Sequence, residues 1–171
     1  MSEIKAIQTS YKGWNFRSRL EARWAVFFEA MGYEFWYEPE GFQLPHGWYL
    51  PDFFLPKHNL WCEVKPNRFS VEDLSHIVDM ADYGKKIVML DGPPDFHGYV
   101  YLDQIGDSVM PQTIWFIKYK TSEALWDSFM GGNFTNDFKP HLNNINREEK
   151  YGQCYTTAIY KSRAARFGAH E

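Results

Sequence analysis

Residues 50–66 read LPDFFLPKHNLWCEVKP, and how this stretch folds decides the architecture around it. Two short apolar runs, Phe53–Leu55 and Leu60–Val64, flank the turn formers Pro56-Lys57-His58-Asn59, so an antiparallel hairpin is expected. A hairpin of that length returns the end of its second strand beside the start of its first. Asp52 then lies next to Glu63, and Lys65, two residues further on, shares the strand face of Glu63. Two carboxylates and an amine gathered at a sheet edge suit a hard divalent cation with a water beside it.

Downstream, Ser70 is placed to cap a helix over Val71–Tyr83 that Gly84 closes. Leu74, Ile77, Val78 and Ala81 fall on one stripe, and Glu72, Asp73, Asp79 and Asp82 outside it. The run KIVML at 86–90 is continuously apolar, as in a buried parallel strand, and a strand–helix–strand crossover sets it beside the Glu63 strand. Upstream, Phe16, Leu20, Trp24, Phe27, Phe28 and Met31 recur at helical spacing. They predict a helix from about Phe16 to Met31, capped by Asn15 or Ser18 and stopped by Gly32. Glu21 sits on or beside the buried stripe, where a carboxylate is costly unless it is paired or holds a metal; the plainer account is an ion pair with Arg17 at the rim. Arg17, Arg19 and Arg23 lie on neighbouring faces and are candidates to meet phosphates, although a solvated helix face also explains them. Tyr33–Glu38 and Trp48–Tyr49 read as a strand and a strand lead-in around a loop, Pro39–Gly47, completing an antiparallel meander. Flanking Pro39, Glu38 and Glu40 are alternatives to Glu21 as an additional metal carboxylate, although surface exposure is the plainer account of both. The fold class expected is α/β, with helices around one mixed sheet.

This layout resembles the PD-(D/E)xK nuclease superfamily, whose signature is an Asp at a strand start followed about ten residues later by Glu-x-Lys on the paired strand. The resemblance spans roughly residues 14–91 and implies a restriction-endonuclease-like αβββαβ core. It implies that Asp52 and Glu63 bind Mg²⁺ (with Mn²⁺ as a substitute), that the Val64 carbonyl is a third protein ligand, and that Glu21 completes the metal site. Lys65 would position or activate the attacking water. The catalytic set implied is therefore Asp52, Glu63, Lys65 and Glu21, and the activity a metal-dependent nuclease, an endonuclease acting on DNA in preference to RNA. A small stand-alone chain of this kind is similar to orphan nucleases of phages and mobile elements, which implies action in the cytoplasm, the host's for a phage protein, and admits a homodimer. Two other readings stand beside it: a catalytically inactive nucleic-acid-binding module on the same fold, and an interaction protein whose aromatic surface is the functional feature.

Composition bounds these readings. At 171 residues, 44% hydrophobic and 19% aromatic, the chain is one domain with enough apolar surface for a substantial core, which excludes disorder. Cys62 and Cys154 are far apart and outside any CxxC, so neither a disulfide framework nor a zinc knuckle is indicated. His46 and His58 bracket Asp52, but with no HExxH spacing and no third histidine nearby a zinc hydrolase is disfavoured; His76 reads as structural or surface. No apolar run reaches membrane-spanning length and the N-terminus lacks the apolar core of a signal peptide, so a cytosolic protein with reduced thiols is expected. The net charge of −4 is uneven: residues 71–110 carry eight acidic side chains against two basic ones, beyond the expected site, so charge neither supports nor excludes nucleic-acid binding. The extension from residue 92 is expected to add a hairpin (Tyr99–Asp103 and Thr113–Lys120 around a loop, Gln104–Gln112), a short helix in SEALWDSFMGG, and an irregular NFTNDFKPHLNNIN loop. A terminal helix, about Tyr155–Phe167, follows and carries Lys161, Arg163 and Arg166 as further phosphate-contact candidates.

Overall fold

The computed structural model describes residues 6–95, 99–105, 107–119, 122–128 and 147–167. In chain order they form β1 (Thr9–Tyr11), β2 (Trp14–Phe16), α1 (Arg19–Met31), β3 (Trp36–Tyr37), β4 (Phe42–Leu44), β5 (Gly47–Tyr49) and β6 (Phe53–Leu55). A 3₁₀ turn (Pro56–His58), β7 (Leu60–Lys65), α2 (Val71–Asp82), β8 (Lys86–Asp91), β9 (Tyr99–Ile105), β10 (Ser108–Tyr119), β11 (Ser122–Ser128) and α3 (Arg147–Ala164) complete them.

The central hairpin forms in the expected register. Phe53 pairs with Cys62 and Leu55 with Leu60, and the turn closes at Asn59, whose φ of 48° is left-handed and suits its short polar side chain. β7 then pairs in parallel with β8, Leu60 with Lys86 through Lys65 with Asp91, the crossover being made by α2. Together they give a mixed seven-stranded sheet in the order β11-β10-β9-β8-β7-β6-β3, in which only β7 and β8 run parallel. The run α1-β3-β6-β7-α2-β8 is thus a helix, three antiparallel strands, a helix and a parallel strand, with the separate β4–β5 hairpin inserted after β3.

Strand alternation sends successive side chains of β7 to opposite faces. Leu60, Cys62 and Val64 join Phe53, Leu55, Val88 and Leu90 against Trp24, Phe27, Phe28 and Met31 of α1 and Ala158 and Ile159 of α3. Trp61 turns the other way, toward Ile77, Met80 and Ala81 of α2 and Leu44 and Tyr49 of the β4–β5 hairpin. Glu63 and Lys65 share the parity of Trp61 and therefore lie on the α2 face. The α1 core is mainly aromatic: Trp24 packs edge-on to Phe27 and Tyr99 at centroid distances of 5.4 and 5.2 Å. Truncating a fully buried ring such as Phe28 would cost about 3–5 kcal/mol.

Several expected boundaries move. α1 begins at Arg19, capped by Ser18, because Asn15 and Phe16 belong to β2 in a β1–β2 hairpin whose turn places Lys12 and Gly13 at φ 48° and 85°. Gly32, at φ 78°, ends α1 as expected. The Tyr33–Glu38 strand shrinks to Trp36–Tyr37, and Trp48–Tyr49 pairs with Phe42–Gln43 in the separate hairpin instead of joining the meander. On α2, Ile77 and Ala81 are buried as expected, but Leu74 and Val78 are exposed, and Asp79 is buried instead of outside the stripe because both its oxygens are engaged by His46 through its backbone N–H (3.0 Å) and Nδ1 (3.0 Å). β9 and β10 run through much of the expected 104–112 loop. Among the described residues Pro111, which has no N–H to give, is paired with Leu102 of β9 alone. Ser122–Ser128 is a strand paired with Thr113–Tyr119 and not a short helix, tertiary pairing overriding local propensity. NFTNDFKPHLNNIN lies outside the described residues. The terminal helix starts earlier, at Arg147, and stops at Ala164. No helix among the described residues is long and apolar enough to cross a membrane.

Candidate functional site

At the open end of the β6–β7 hairpin, where the α2-side core stops, a cleft of about 1150 Å³ is lined by side chains from the start of α1, the β4–β5 hairpin, β7 and the start of α2. Asp52, one step beyond the Phe53–Cys62 pair, and Glu63 on the paired strand both line it and are both buried, at 2% and 5% exposure. Asp52 Oδ2 accepts the Val64 N–H at 2.8 Å and Oδ1 accepts Arg17 Nη2 at 2.7 Å. Glu63 Oε2 accepts the Tyr49 hydroxyl at 2.9 Å, and Oε1 pairs with Lys65 Nζ at 3.0 Å. Lys65 also reaches Asp73 Oδ1 at 2.9 Å. Asp73 is the N3 residue of the α2 capping box, its other oxygen accepting from the Ser70 backbone and hydroxyl, so the helix start that seats Asp73 also positions the lysine.

The electrostatics follow from burial and like charge. Burial pushes Asp52 well above the ordinary carboxylate range, and neighbouring Glu63 and Glu21 push it further, against the Val64 N–H and Arg17. Burial also raises Glu63, partly offset by Lys65, the Tyr49 hydroxyl and Arg17. For Lys65 burial opposes the ammonium form, but its bonds to Asp73 and Glu63 outweigh burial and raise its pKa. Burial raises Asp73, yet Lys65 and Ser70 bring it below its usual value. Tyr49 is driven strongly upward by burial and by Glu63.

The other expected site residues divide. Glu21 is buried at the cleft, near Asp52, but its oxygens serve the chain: Oε1 takes the Ser18 hydroxyl at 2.6 Å, and Oε2 the Tyr37 hydroxyl at 2.6 Å and the Arg17 backbone N–H at 3.1 Å. The Arg17 side chain does not pair with Glu21; it bridges Asp52 and Glu38, while Glu40 is exposed. Arg19 lines the cleft, and Val64 does so while giving its N–H to Asp52. Arg23, Lys161, Arg163 and Arg166 are not among the lining residues; Arg163 pairs with Asp95 at 2.8 Å. His46 is committed to Asp79, and His58 lies edge-on to Tyr33 at 5.4 Å, away from the cleft. His76, by contrast, lines the cleft and stacks on Tyr49 at 5.0 Å with 6° between ring planes. Tyr49, Asp73 and His76 are the partners that sequence reading missed.

Among the described residues no group of three or more His, Cys, Asp or Glu side chains converges closely enough to ligate an ion as it stands. The charge balance nevertheless leaves room for one. Asp52, Glu63, Asp73 and Glu38 share two cations of the chain, Arg17 and Lys65, with the Glu21 carboxylate close by, and burial together with the like charge of Glu63 and Glu21 raises the Asp52 pKa. Buried carboxylate oxygens with a negative surplus are the donor set of a hard divalent cation, and Asp52 with Glu63 would hold it in exchange for Arg17 or Lys65. Compared with family models, curated proteins and solved structures, the chain gives no significant match to any of them.

Proposed function

We propose that the chain is a metal-dependent nuclease that hydrolyses phosphodiester bonds, with DNA as its substrate and Mg²⁺ (or Mn²⁺) as its cofactor, acting in the cytoplasm. The observation that carries this reading is the burial of Asp52 and Glu63 side by side, with Lys65 on the same strand face, at the end of a sheet that opens into a cleft. The helix, three antiparallel strands, helix and parallel strand around them support the likeness to the PD-(D/E)xK superfamily, as fold-level analogy only.

In this reading Asp52 and Glu63 hold the cation, whose chemistry when bound is to screen phosphoryl oxygens and to acidify water. Lys65, gripped by Glu63 and Asp73, is kept as an ammonium and is placed to stabilise negative charge developing on phosphate, a role better suited to it than that of a base. Val64, through its N–H, fixes the orientation of the Asp52 carboxylate. Arg17 and Arg19 give the cleft mouth positive charge for the nucleic-acid backbone, the part of a substrate that dominates affinity.

The test is nicking and linearisation of supercoiled plasmid in Mg²⁺, with a chelator control and the Asp52→Ala protein. Cleavage that both controls abolish is expected, with paired double-strand cuts marking a homodimer; chelator-insensitive cleavage, or an active Asp52→Ala protein, contradicts the reading. One observation favours a second reading, a nucleic-acid-binding module without catalysis: Arg17 already satisfies an Asp52 oxygen. Oligonucleotide binding without metal-dependent cleavage would select it.

A further inference from the structure

Trp48 is 64% exposed, yet its place is built. A lone exposed tryptophan is ordinary. This one lies over Gly41, where a Cβ would come within 2.1 Å of the indole Cζ2 and 2.7 Å of Cη2, so only glycine lets the ring settle there. One side of the indole is thus supported by the chain at the start of β4, while the ring lines the acidic cleft. The hairpin that carries it is tied to the site from both sides of the strand. Tyr49, the next residue, bonds Glu63 through its hydroxyl at 2.9 Å and stacks on His76 of α2, and Leu44 anchors the facing strand in the core. The indole is therefore held in the cleft whose lining also includes Glu63, Lys65, Arg17 and Arg19.

We infer that Trp48 is a stacking platform for an unpaired nucleobase next to the bond to be cut, so that the substrate is a strand with bases free of a duplex: single-stranded, flapped or branched. This rests on the nuclease reading above. A flat, apolar ring open to solvent, in a cleft whose lining also carries the cations Arg17, Arg19 and Lys65, matches a nucleotide, whose base offers a π-face and whose backbone offers charge. Inside a duplex both faces of a base are already covered by their neighbours, and stacking on Trp48 would require the base to leave the helix. In a single strand, flap or branch that cost is absent. The aromatic contact would act on every base alike, which predicts a preference for structure over sequence.

The test separates binding from cutting. Anisotropy of labelled DNA and RNA single strands, a flapped duplex and a plain duplex is measured in Ca²⁺ for the wild-type, Trp48→Ala and Trp48→Phe proteins. An abasic site is moved along the single strand. Wild type should prefer substrates with unpaired bases, Trp48→Ala should lose roughly five- to hundredfold in affinity for them, and Trp48→Phe should keep most of it. One abasic position should weaken wild type by a similar factor and leave Trp48→Ala unchanged, a coupling that a merely structural role does not produce. Equal affinity for duplex, no loss in Trp48→Ala, or no nucleic-acid binding at all overturns the inference. So does loss of a dimer in Trp48→Ala with unchanged oligonucleotide affinity, which would make the ring a contact between copies. Mg²⁺-dependent cleavage is scored on the same substrates: Trp48-dependent binding without cutting keeps the stacking role and rejects the nuclease, and cutting without Trp48-dependent binding does the reverse.

Discussion

Replacing Lys65 by Met removes the ammonium while keeping the apolar stem that packs in the cleft wall. The amine makes two charge-assisted contacts, 3.0 Å to Glu63 and 2.9 Å to Asp73. A hydrogen bond to a charged group contributes about 1.5–3 kcal/mol when shielded from water. The Glu63 side chain is only 6% exposed, so its contact sits near the low end of that range; the Asp73 side chain is 24% exposed and Lys65 itself 32%, so water competes for the second contact and reduces it to about 0.5 kcal/mol. The expected loss of stability is thus about 2 kcal/mol, or roughly 4–8 °C in Tm for a chain of this size. The expected loss of cleavage is larger, on the order of a hundredfold or more, equivalent to about 2.7 kcal/mol of transition-state stabilisation. Urea unfolding followed by tryptophan fluorescence gives the first number, and single-turnover cleavage of a flapped DNA duplex in saturating Mg²⁺ the second. Asp73→Asn is the control, because it loosens the lysine and leaves its charge: it should cost less activity than Lys65→Met. Wild-type cleavage by Lys65→Met would refute the reasoning and reduce the lysine to a structural counter-ion.

Three further outcomes are expected. Arg17→Gln frees an Asp52 oxygen from its guanidinium and should tighten Mn²⁺ binding on the order of tenfold in calorimetric titration, and weaker binding would show that Arg17 organises the site instead of competing for it. Glu21→Gln disturbs the capping of α1 and the Tyr37 contact and should cost about 1–2 kcal/mol in urea unfolding with only a modest loss of cleavage. Full stability with abolished cleavage would instead make Glu21 a metal ligand. For Asp79, burial raises the pKa but the His46 N–H and imidazole outweigh it and bring it below the unfolded value of 3.8. A depressed carboxylate stabilises the fold above its unfolded pKa and loses that contribution as pH falls through the folded one, so Asp79→Asn should flatten the acid limb of the stability curve below about pH 4, and an unchanged limb would remove Asp79 from the account.

What the sequence made legible is local or periodic. The β6–β7 hairpin announces itself by two apolar runs around Pro56–Asn59, and because side chains alternate, its register alone brings Asp52, Glu63 and Lys65 to one face. Ser70 marked the start of α2, and the apolar KIVML marked β8. The elements that escaped are those whose signals are short or non-local. β4 and β5 have three residues each and hide in a segment with two prolines and two glycines, yet they deliver Tyr49 to Glu63 and Trp48 to the cleft. β1 and β2 are equally short, and Trp14 and Asn15 are exposed, so no alternation showed. Asp79 broke the expected α2 stripe because its partner, His46, is thirty-three residues away. Arg17 was read as a helix neighbour of Glu21, whereas it lies before the helix and finds Asp52 across the fold.

The central claim is that Asp52 and Glu63 jointly hold the cation that the proposed nuclease function requires. Crystals grown or soaked with Mn²⁺ and measured at its absorption edge test it most directly. The account predicts one anomalous peak in contact with both carboxylates, with Arg17 or Lys65 drawn away from its present oxygen, and no such peak in Asp52→Ala crystals treated alike. A Mn²⁺ peak elsewhere in the molecule, or none at Asp52 and Glu63 when the ion is saturating, would contradict it.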